Sequence, residues 1–504
     1  MTLPYPDFAI LAVSLPDDWA IVAGYLSLGI LICGWIAAVH ALFTTRTSQG
    51  TTAWVVSLVL MPMVSLPFYL LLGRNRFQGY VDIRRARSRD FNITGEDLRK
   101  LIPRYKAELS PEIQHRYGIL EDMAVMPFTK ENGVRLHPNG KEVFEKMFAA
   151  INAAKNYVVI QFYTVKNDHL GNELKRRLIA KAREGVSIYF LTDAIGSHDL
   201  PEDYYDSLEQ AGVKTARFGV GKGFWNKFQI NFRNHRKLVV IDGLHGFTGG
   251  HNVGREYLGE EHKFGDWRDT TVEIAGPAVL ELQLSFLDDW HWAASSIPEL
   301  NWEQDDNIDN LVPDDGESRY ARDAVAIVVP TGPADMLENG GLFFTHLINS
   351  AKSDLWISSP YFIPDQSQTT AIQLAAMRGV NVRIILPRIS DRFLTRLGND
   401  AFAHQFDHRN IQIYHFLPGF LHQKVILIDD ELAAIGTANF DNRSFRLNFE
   451  LMLCVLDKRF AWQTRQMLES DVKNSLPISA DFMKDEPFLR RLASRATRLL
   501  APVL

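Results

Sequence analysis

The chain has 504 residues, which leaves room for roughly three domains, and its 54 basic and 60 acidic side chains give a net charge of -6. This balance, without a polybasic tail, excludes nucleic acid as the default partner. Cys33 and Cys454 lie far apart and lack metal-ligand spacing, which argues against a disulfide framework or a zinc site.

Two uncharged apolar runs lie near the N-terminus. The first, from Trp19 to Phe43, is long enough as a helix to cross a hydrocarbon core of about 30 Å. A signal peptide is the alternative, but this run is too long for one and no basic region precedes it. The second run, from Ala53 to Leu72, contains Pro62 and Pro67, so we predict a kinked or re-entrant span. We therefore expect two transmembrane helices within residues 1–75.

Arginines are concentrated after the second run and set the predicted orientation. They are Arg74, Arg76, Arg84, Arg85, Arg87 and Arg89, whereas the connector between the runs has only Arg46. Because positive charges favour the cytoplasmic side, we expect the rest of the chain in the cytoplasm. It begins with a linker or short helical region at residues 76–127.

An internal repeat follows the linker. The stretch INAAKNYVVIQFY from Ile151 is similar to INSAKSDLWISSPYF from Ile348, and AREGVSIYFLTD is similar to AMRGVNVRIILPR. Each copy predicts a helix, an apolar strand, a second helix and a second strand, which indicates an α/β fold. We expect two duplicated α/β sandwich domains, residues 128–318 and 319–484, packed against each other.

One motif occurs once in each copy. It is NHRKLVVIDGLHGFTGGHN from Asn234 to Asn252, and LHQKVILIDDELAAIGTAN from Leu421 to Asn439. Corresponding residues are 187 positions apart, as for His235 and His422 (422 − 235). The candidate site residues are His235, Lys237, Asp242, Asn252, His422, Lys424, Asp429 and Asn439. Residues two apart in a strand face the same side, so each His-x-Lys unit presents an imidazole beside an ammonium group.

These side chains suit chemistry at a phosphodiester without a metal or other cofactor. Ammonium and amide groups stabilise charge on phosphate oxygens, while one imidazole attacks phosphorus and the other protonates the leaving alkoxide. A lone histidine is more often structural, but the duplication favours catalysis. Asp242 lies before Gly243 between apolar runs, so a turn role is open beside a catalytic one.

Both motifs resemble the signature of the phospholipase D superfamily, His-x-Lys-x4-Asp-x6-Gly-x-x-Asn, at every fixed position. Within that superfamily the chain resembles the bacterial cardiolipin synthases, through AWVVSLVLMPMVSLPFYLLLG, WRDTTVEIAGPAV and GTANFDNRSFRLNFE. One difference separates the copies: Gly250 stands where many members have a hydroxyl residue, whereas the second copy keeps Thr437. We expect the two halves to contribute unequally to the phosphate site.

The resemblance implies phosphatidyl transfer between two phosphatidylglycerol molecules through a phosphatidyl-histidine, giving cardiolipin and glycerol. It implies a multi-pass protein of the bacterial inner membrane that needs no metal or ATP. It also implies supporting roles for Ser444 and Glu450. The residues leave open which histidine is the nucleophile; we predict His235, with His422 as the general acid.

Other activities use the same motif. A hydrolase of the phospholipase D type, or a transferase with another alcohol as acceptor, differs only in the shape of the acceptor pocket. A membrane-tethered nuclease is disfavoured by the acidic net charge and by the lack of a long basic, aromatic groove. The two complete motifs argue against a binding scaffold with an inactive site.

Two segments are candidates for contact with a lipid surface. The first precedes motif one and combines Lys222, Phe224, Trp225, Lys227, Phe228, Phe232 and Arg233. The second, residues 485–504, is predicted as an amphipathic helix lying on the bilayer. Its apolar face carries Leu489, Leu492, Ala496, Leu499 and Leu500, and its other faces carry Arg490, Arg491, Arg495 and Arg498. Packing on the protein is the alternative for both segments.

Overall fold

The computed structural model describes ten parts of the chain. They are residues 17–45, 47–73, 77, 80, 104–219, 231–260, 263–300, 321–406, 408–479 and 486–500. The chain divides into two compact units, residues 1–75 and 76–504. The arginines that carry the orientation prediction lie outside the described residues, as do residues 220–230 of the predicted aromatic and basic segment.

The first unit contains three helices, α1 (Asp17–Thr44), α2 (Ser48–Leu60) and α3 (Pro62–Leu72), in its described part. Among the described residues one helix, over Ile21–Thr44, is long and apolar enough to cross a membrane, judged by length and composition. It coincides with the first predicted span. The second predicted span is instead divided between α2 and α3, each of which is shorter.

The break between α2 and α3 is at Pro62, whose missing N–H ends the helical hydrogen bonds there. The carbonyl oxygen of Ser57 accepts from the backbone N–H of Met61 at 2.8 Å and from the hydroxyl of Ser65 at 2.9 Å. A Cβ atom at Gly34 of α1 would lie 2.7 Å from the Cβ of Pro62. The second apolar run is thus kinked, as predicted, and a hydroxyl group binds a carbonyl near the break. The kink packs against a glycine of α1.

The second unit begins with the first copy of the repeat. In chain order its described elements are α4 (Pro111–Tyr117), α5 (Ile119–Ala124), β1 (Thr129–His137), α6 (Gly140–Ala153), β2 (Tyr157–Phe162), α7 (His169–Arg183), β3 (Ser187–Asp193), α8 (Glu202–Gln210), β4 (Lys214–Phe218), β5 (Arg233–Asn234), β6 (Leu238–Ile241), β7 (His245–Gly249), a 3-10 turn (Arg255–Leu258), β8 (Asp266–Arg268), β9 (Thr271–Ala275) and α9 (Ala278–Ala294).

The second copy repeats this order. Its described elements are β10 (Ala321–Thr331), α10 (Asn339–Ser350), β11 (Asp354–Ser358), β12 (Phe362–Ile363), α11 (Gln366–Met377), β13 (Asn381–Pro387), α12 (Phe393–Ala403), β14 (Ile411–Phe416), β15 (Gly419–Leu421), β16 (Val425–Ile428), β17 (Leu432–Gly436), β18 (Phe440–Asp441), α13 (Asn442–Arg446), β19 (Asn448–Leu456), α14 (Lys458–Lys473), β20 (Ser475–Ile478), α15 (Phe488–Thr497) and a 3-10 turn (Arg498–Leu500).

The two copies share one mixed sheet, with strand order β20-β14-β13-β11-β16-β17-β19-β10-β1-β9-β7-β6-β2-β3-β4. Reading outward from the central antiparallel pair β1 and β10, each half presents the same sequence of strands. The duplicated α/β fold predicted from the sequence is therefore confirmed. The halves are joined edge to edge through β1 and β10, and the predicted boundary at residues 318 and 319 lies outside the described residues.

Alternating side chains place apolar residues on both faces of this sheet. One face carries a single cluster that crosses both halves, with Val159, Val240, Trp356 and Leu427 among its members. The other face carries two separate clusters, one in each half. The strands of the motif are fully buried, as their apolar sequence predicts, and hold the residues before them rigidly.

Candidate active site

The two motif histidines are attached to the opposite half of the sheet. Strand β5 pairs with β19, so that Asn234 lies opposite Phe449, and β15 pairs with β8, so that Leu421 lies opposite Arg268. The backbone N–H of His235 donates to the carbonyl of Phe449 at 2.9 Å, and that of His422 donates to the carbonyl of Arg268 at 2.7 Å. Each histidine therefore lies beside the residue that comes directly after its backbone partner in the other half.

Those following residues are carboxylates. The Nδ1 atom of His235 lies 2.9 Å from Oε2 of Glu450, and the Nδ1 atom of His422 lies 2.6 Å from Oδ2 of Asp269. Glu450 and Asp269 are equivalent in the two halves, since each lies two residues before the strand partner of the motif glycine. Both carboxylates are fully buried. A carboxylate on Nδ1 fixes the imidazole and leaves Nε2 free for chemistry.

Both histidines line one cavity of about 520 Å³ between the halves. Its other lining residues are Tyr163, Thr164, Lys166, Arg233, Asn252, Glu256, Tyr257, Trp267, Tyr361, Asp391, Arg392, Phe393, Leu394, Thr395, Asn439, Asp441, Arg443 and Asn448. Aromatic rings surround the imidazoles: the ring of Tyr163 lies 4.9 Å from that of His235, and the ring of Trp267 lies 5.1 Å from that of His422.

Burial controls the charge of this site. It lowers the pKa of His235 to about 4, and burial together with the charge of Lys424 lowers the pKa of His422 to about 3. Burial alone would raise the pKa of Glu450 and Asp269, but the nearby cations and histidines outweigh it and hold both below their usual values. Near neutral pH the empty site therefore contains neutral imidazoles against ionised carboxylates.

The two motif lysines lie behind the histidines. The Nζ atom of Lys237 donates to the carbonyl of His235 at 2.7 Å, and that of Lys424 donates to the carbonyl of His422. Both side chains are almost completely buried, and burial lowers the pKa of Lys237 to about 7. Their charge acts on the site from within the protein, and neither lysine lines the cavity.

The motif asparagines line the same cavity, and Ser444 lies behind one of them. The side chain of Asn252 accepts from the N–H of Thr164 at 3.2 Å and donates to the hydroxyl of Tyr257 at 3.0 Å. The backbone N–H of Asn439 donates to the hydroxyl of Ser444 at 3.1 Å. The side-chain oxygen of Asn439 is buried without a protein partner in the described part of the chain.

The expected inequality of the two halves has a steric cause. The hydroxyl of Thr437 donates to Oε2 of Glu450 at 2.6 Å, so it supports the carboxylate. A Cβ atom at Gly250 would lie 2.0 Å from Oδ1 of Asp269, which leaves no space for a hydroxyl residue there. The shorter carboxylate of the first half thus occupies the place that the threonine occupies in the second.

The structure places the two motif aspartates, Asp242 and Asp429, in turns outside the cavity lining. Each lies at the far end of its motif strand from the histidine, with a positive φ of 53° and 50°. The carboxylate of Asp242 accepts from the N–H groups of Lys155, Asn156 and Tyr157 at 2.7 to 2.8 Å, and Asp429 binds the equivalent turn of the second half. Neither lines the cavity, so both contacts fit the turn role.

Replacing Asp242 with alanine should therefore lower stability and leave the chemistry intact. Three N–H groups lose their acceptor, and we expect the free energy of unfolding to fall by about 1–3 kcal/mol. Urea denaturation and the specific activity of the folded enzyme would be measured together. A thousandfold loss of activity in a fully folded Asp242→Ala variant would show that Asp242 has a catalytic role.

Sequence reasoning missed three residues of the site. Asp269 lies within the quoted stretch WRDTTVEIAGPAV, at the start of the strand that follows the first motif, as Glu450 does after the second. That shared position was the available signal. Tyr163 and Tyr257 carry no such signal. Tyr163 approaches His235 because β2 pairs with β6 within the first half, and Tyr257 approaches His422 because the two halves meet.

The fold has a counterpart among solved structures. Phosphatidylserine synthase from Haemophilus influenzae superposes with a TM-score of 0.60 at 16% identity, covering 77% of this chain and 99% of that chain. A duplicated α/β fold that brings the histidines of two His-x-Lys units to one cavity, together with a match to the PLD-like domain model, defines an enzyme of the phospholipase D superfamily.

Relatives in sequence specify the family. Residues 147–287 and 344–472 match the model of the cardiolipin synthase PLD-like domain, and residues 34–74 match that of the phospholipase D-nuclease N-terminal region. Cardiolipin synthase A of Pseudomonas aeruginosa is 42% identical over 95% of this chain and 96% of its own length. The Pseudomonas entomophila enzyme is 42% identical over 95% of this chain and 98% of its own length. The chain belongs to the cardiolipin synthase family, and it is a phosphatidyltransferase associated with membranes.

Proposed function

We propose that the protein transfers a phosphatidyl group from one phosphatidylglycerol to the glycerol hydroxyl of a second, giving cardiolipin and free glycerol. The observation that carries this proposal is the pair of imidazoles, one from each half, that line one cavity with a buried carboxylate on each Nδ1. Such a pair can share two displacements at phosphorus, because one imidazole forms the covalent bond while the other moves the proton.

In the first displacement, Nε2 of His235 attacks phosphorus, and the bond from phosphorus to the glycerol oxygen breaks. His422 donates a proton to that oxygen, and glycerol leaves. In the second, His422 takes a proton from the hydroxyl of the acceptor lipid, whose oxygen attacks phosphorus. The bond from phosphorus to His235 then breaks and cardiolipin is formed.

The carboxylate of Asp269 on Nδ1 of His422 would stabilise the imidazolium that an acid needs. Lys424 opposes this role in the empty cavity, since its charge lowers the pKa of His422. A bound phosphodiester adds negative charge and raises that pKa, so substrate binding prepares His422 to carry the proton.

Mass spectrometry of lipids tests the proposal. The detergent-solubilised protein is incubated with phosphatidylglycerol alone in EDTA, with a His422→Ala variant beside it. We expect equal amounts of cardiolipin and glycerol from the protein and neither from the variant. Phosphatidic acid as the sole product would make the enzyme a hydrolase, and loss of turnover in EDTA would contradict metal independence.

We also propose that the second unit docks on the bilayer through α15. Its small polar residues face the protein: Ser494 and Thr497 are buried, and the hydroxyl of Ser494 donates to the carbonyl of Leu397 at 3.0 Å. Its leucines face outward, with Leu489 75% and Leu492 52% exposed. A helix that packs through polar residues and exposes leucines suits an interface better than water.

Replacing both Leu489 and Leu492 with serine should weaken binding to phosphatidylglycerol vesicles by about tenfold or more. The N-terminal helices of the full-length protein would also bind vesicles, so the second compact unit, residues 76–504, is compared with its variants on preformed vesicles. The matched control replaces Leu374 and Met377, which are similarly exposed on α11. Equal binding by both double variants would contradict the role of α15.

We propose, finally, that the protein spans the inner membrane more than once with its second unit in the cytoplasm. The cluster of arginines after the second apolar run supports this orientation. Protease added to intact spheroplasts should leave a C-terminal tag uncut. Cleavage of the tag before lysis would place that unit outside.

A further inference from the structure

The two sides of the cavity differ in charge although they are related by duplication. Four residues beyond the motif asparagine, the first half has Glu256 and the second half has Arg443. Glu256 lies 2.8 Å from the Nζ atom of Lys166, so these two charges neutralise each other. On the side of the cavity that contains Arg443, the positive charges are not neutralised in this way.

Arg443 and Arg233 line the cavity with neutral partners. The guanidinium of Arg443 donates to the side-chain oxygen of Asn231 at 3.2 Å and to its carbonyl at 2.8 Å. Arg233 donates to the carbonyl of Phe232 at 2.8 Å. Within the described parts of the chain, neither guanidinium forms an ion pair with a carboxylate.

Arg392 adds a third guanidinium to this side. It follows Asp391, and its Nε atom lies 3.8 Å from that carboxylate, which also accepts from the hydroxyl of Tyr361 at 2.9 Å. The side chain of Arg392 is 66% exposed, so most of its hydrogen-bonding capacity faces solvent or a ligand. Only a weak ion pair therefore offsets its charge.

The three positive charges act on one another. Burial lowers the pKa of Arg443, and the charges of Arg233 and Arg392 lower it further. Burial raises the pKa of two further acids near them, Asp193 and Asp441, the latter to about 7, so these acids neutralise less of the positive charge. Buried or half-buried guanidinium groups without carboxylates are stabilised when an anion binds, and phosphate matches their geometry.

We propose that Arg233, Arg392 and Arg443 form a second anion subsite, which holds the phosphodiester of the acceptor lipid while the phosphorus of the donor reacts at the two histidines. This inference rests on the proposed function. It makes the acceptor a lipid that carries its own phosphate, because water and free glycerol have no anionic group for the arginines to bind. The subsite thus favours transfer to a second phospholipid over hydrolysis.

The experiment compares two acceptors in one reaction. Detergent-solubilised enzyme is given phosphatidylglycerol and radiolabelled glycerol, so that labelled phosphatidylglycerol reports capture by a neutral acceptor and cardiolipin reports capture by an anionic one. In an Arg392→Gln variant we expect the ratio of cardiolipin to labelled phosphatidylglycerol to fall about 10- to 100-fold, the range for one charge-assisted hydrogen bond. An Arg392→Lys variant should recover part of it.

The matched control is Arg396→Gln, which makes the same change one turn later on α12, on an exposed side chain outside the cavity lining. Its product ratio should equal that of the unaltered enzyme. An unchanged ratio in Arg392→Gln, or an equal fall in both variants, would overturn the subsite. If the unaltered enzyme forms neither cardiolipin nor labelled phosphatidylglycerol, the proposed function itself fails, which is a different result.

Discussion

Replacing His235 with alanine is expected to reduce cardiolipin formation by about 10⁴-fold or more. The side chain is buried at the cavity and held on Nδ1 by Glu450, so no neighbouring group can take its place at phosphorus. Exchange of labelled glycerol into phosphatidylglycerol should be lost together with cardiolipin, because both need the covalent intermediate. Radiolabelled lipid products measure the two rates in one assay.

The control for this variant is His198→Ala, since the imidazole of His198 is 70% exposed and lies outside the cavity. It should retain the activity of the unaltered enzyme. A His235→Ala protein that still exchanges glycerol at a tenth of the normal rate would show that His235 is not the nucleophile.

Replacing Glu450 with glutamine is expected to lower kcat by about 10²- to 10⁴-fold with little change in KM. The ionised carboxylate accepts from Nδ1 of His235, from the hydroxyl of Thr437 at 2.6 Å and from the amide of Asn448 at 3.0 Å. A glutamine would present an amide donor to one of these donors and would remove the charge that stabilises a developing imidazolium. Steady-state kinetics on mixed micelles separate kcat from KM.

Glu281→Gln is the matched control, because Glu281 is another buried glutamate of the same unit. Its carboxyl accepts from the N–H of Val328 at 2.6 Å, and burial raises its pKa well above the usual value. A glutamate that is already neutral loses little when it becomes glutamine. Equal losses of kcat in both variants would mean that Glu450 acts on the fold and not on His235.

The duplicated fold and the paired histidines could be predicted because they are local in sequence. Short uninterrupted apolar runs define the strands, and the offset between His235 and His422 reveals the repeat. The roles of the motif aspartates could not be decided in this way. The position of Asp242 before Gly243, between two apolar runs, left both a turn role and a catalytic role open. Its contacts with the N–H groups of the loop before β2 fit the turn role.

The partners of the histidines depend on pairing between residues far apart in the chain. Asp269 reaches His422 because β8 pairs with β15, and Glu450 reaches His235 because β19 pairs with β5. The spacing of apolar residues within one segment does not predict which distant strand that segment pairs with. The kink in the second apolar run, by contrast, could be predicted from a local signal, because Pro62 divides that run into α2 and α3.

Identification of the covalent intermediate tests the central claim most directly. The enzyme is mixed with short-chain phosphatidylglycerol, quenched within milliseconds in alkali, digested and mapped by mass spectrometry, with the His235→Ala and His422→Ala variants treated alike. The account predicts a phosphatidyl group on the peptide that contains His235, absent from the His235→Ala variant. A phosphatidyl group on His422 in the unaltered enzyme would contradict the assignment of nucleophile and acid, and cardiolipin formation without any adduct on histidine would contradict the two-step transfer.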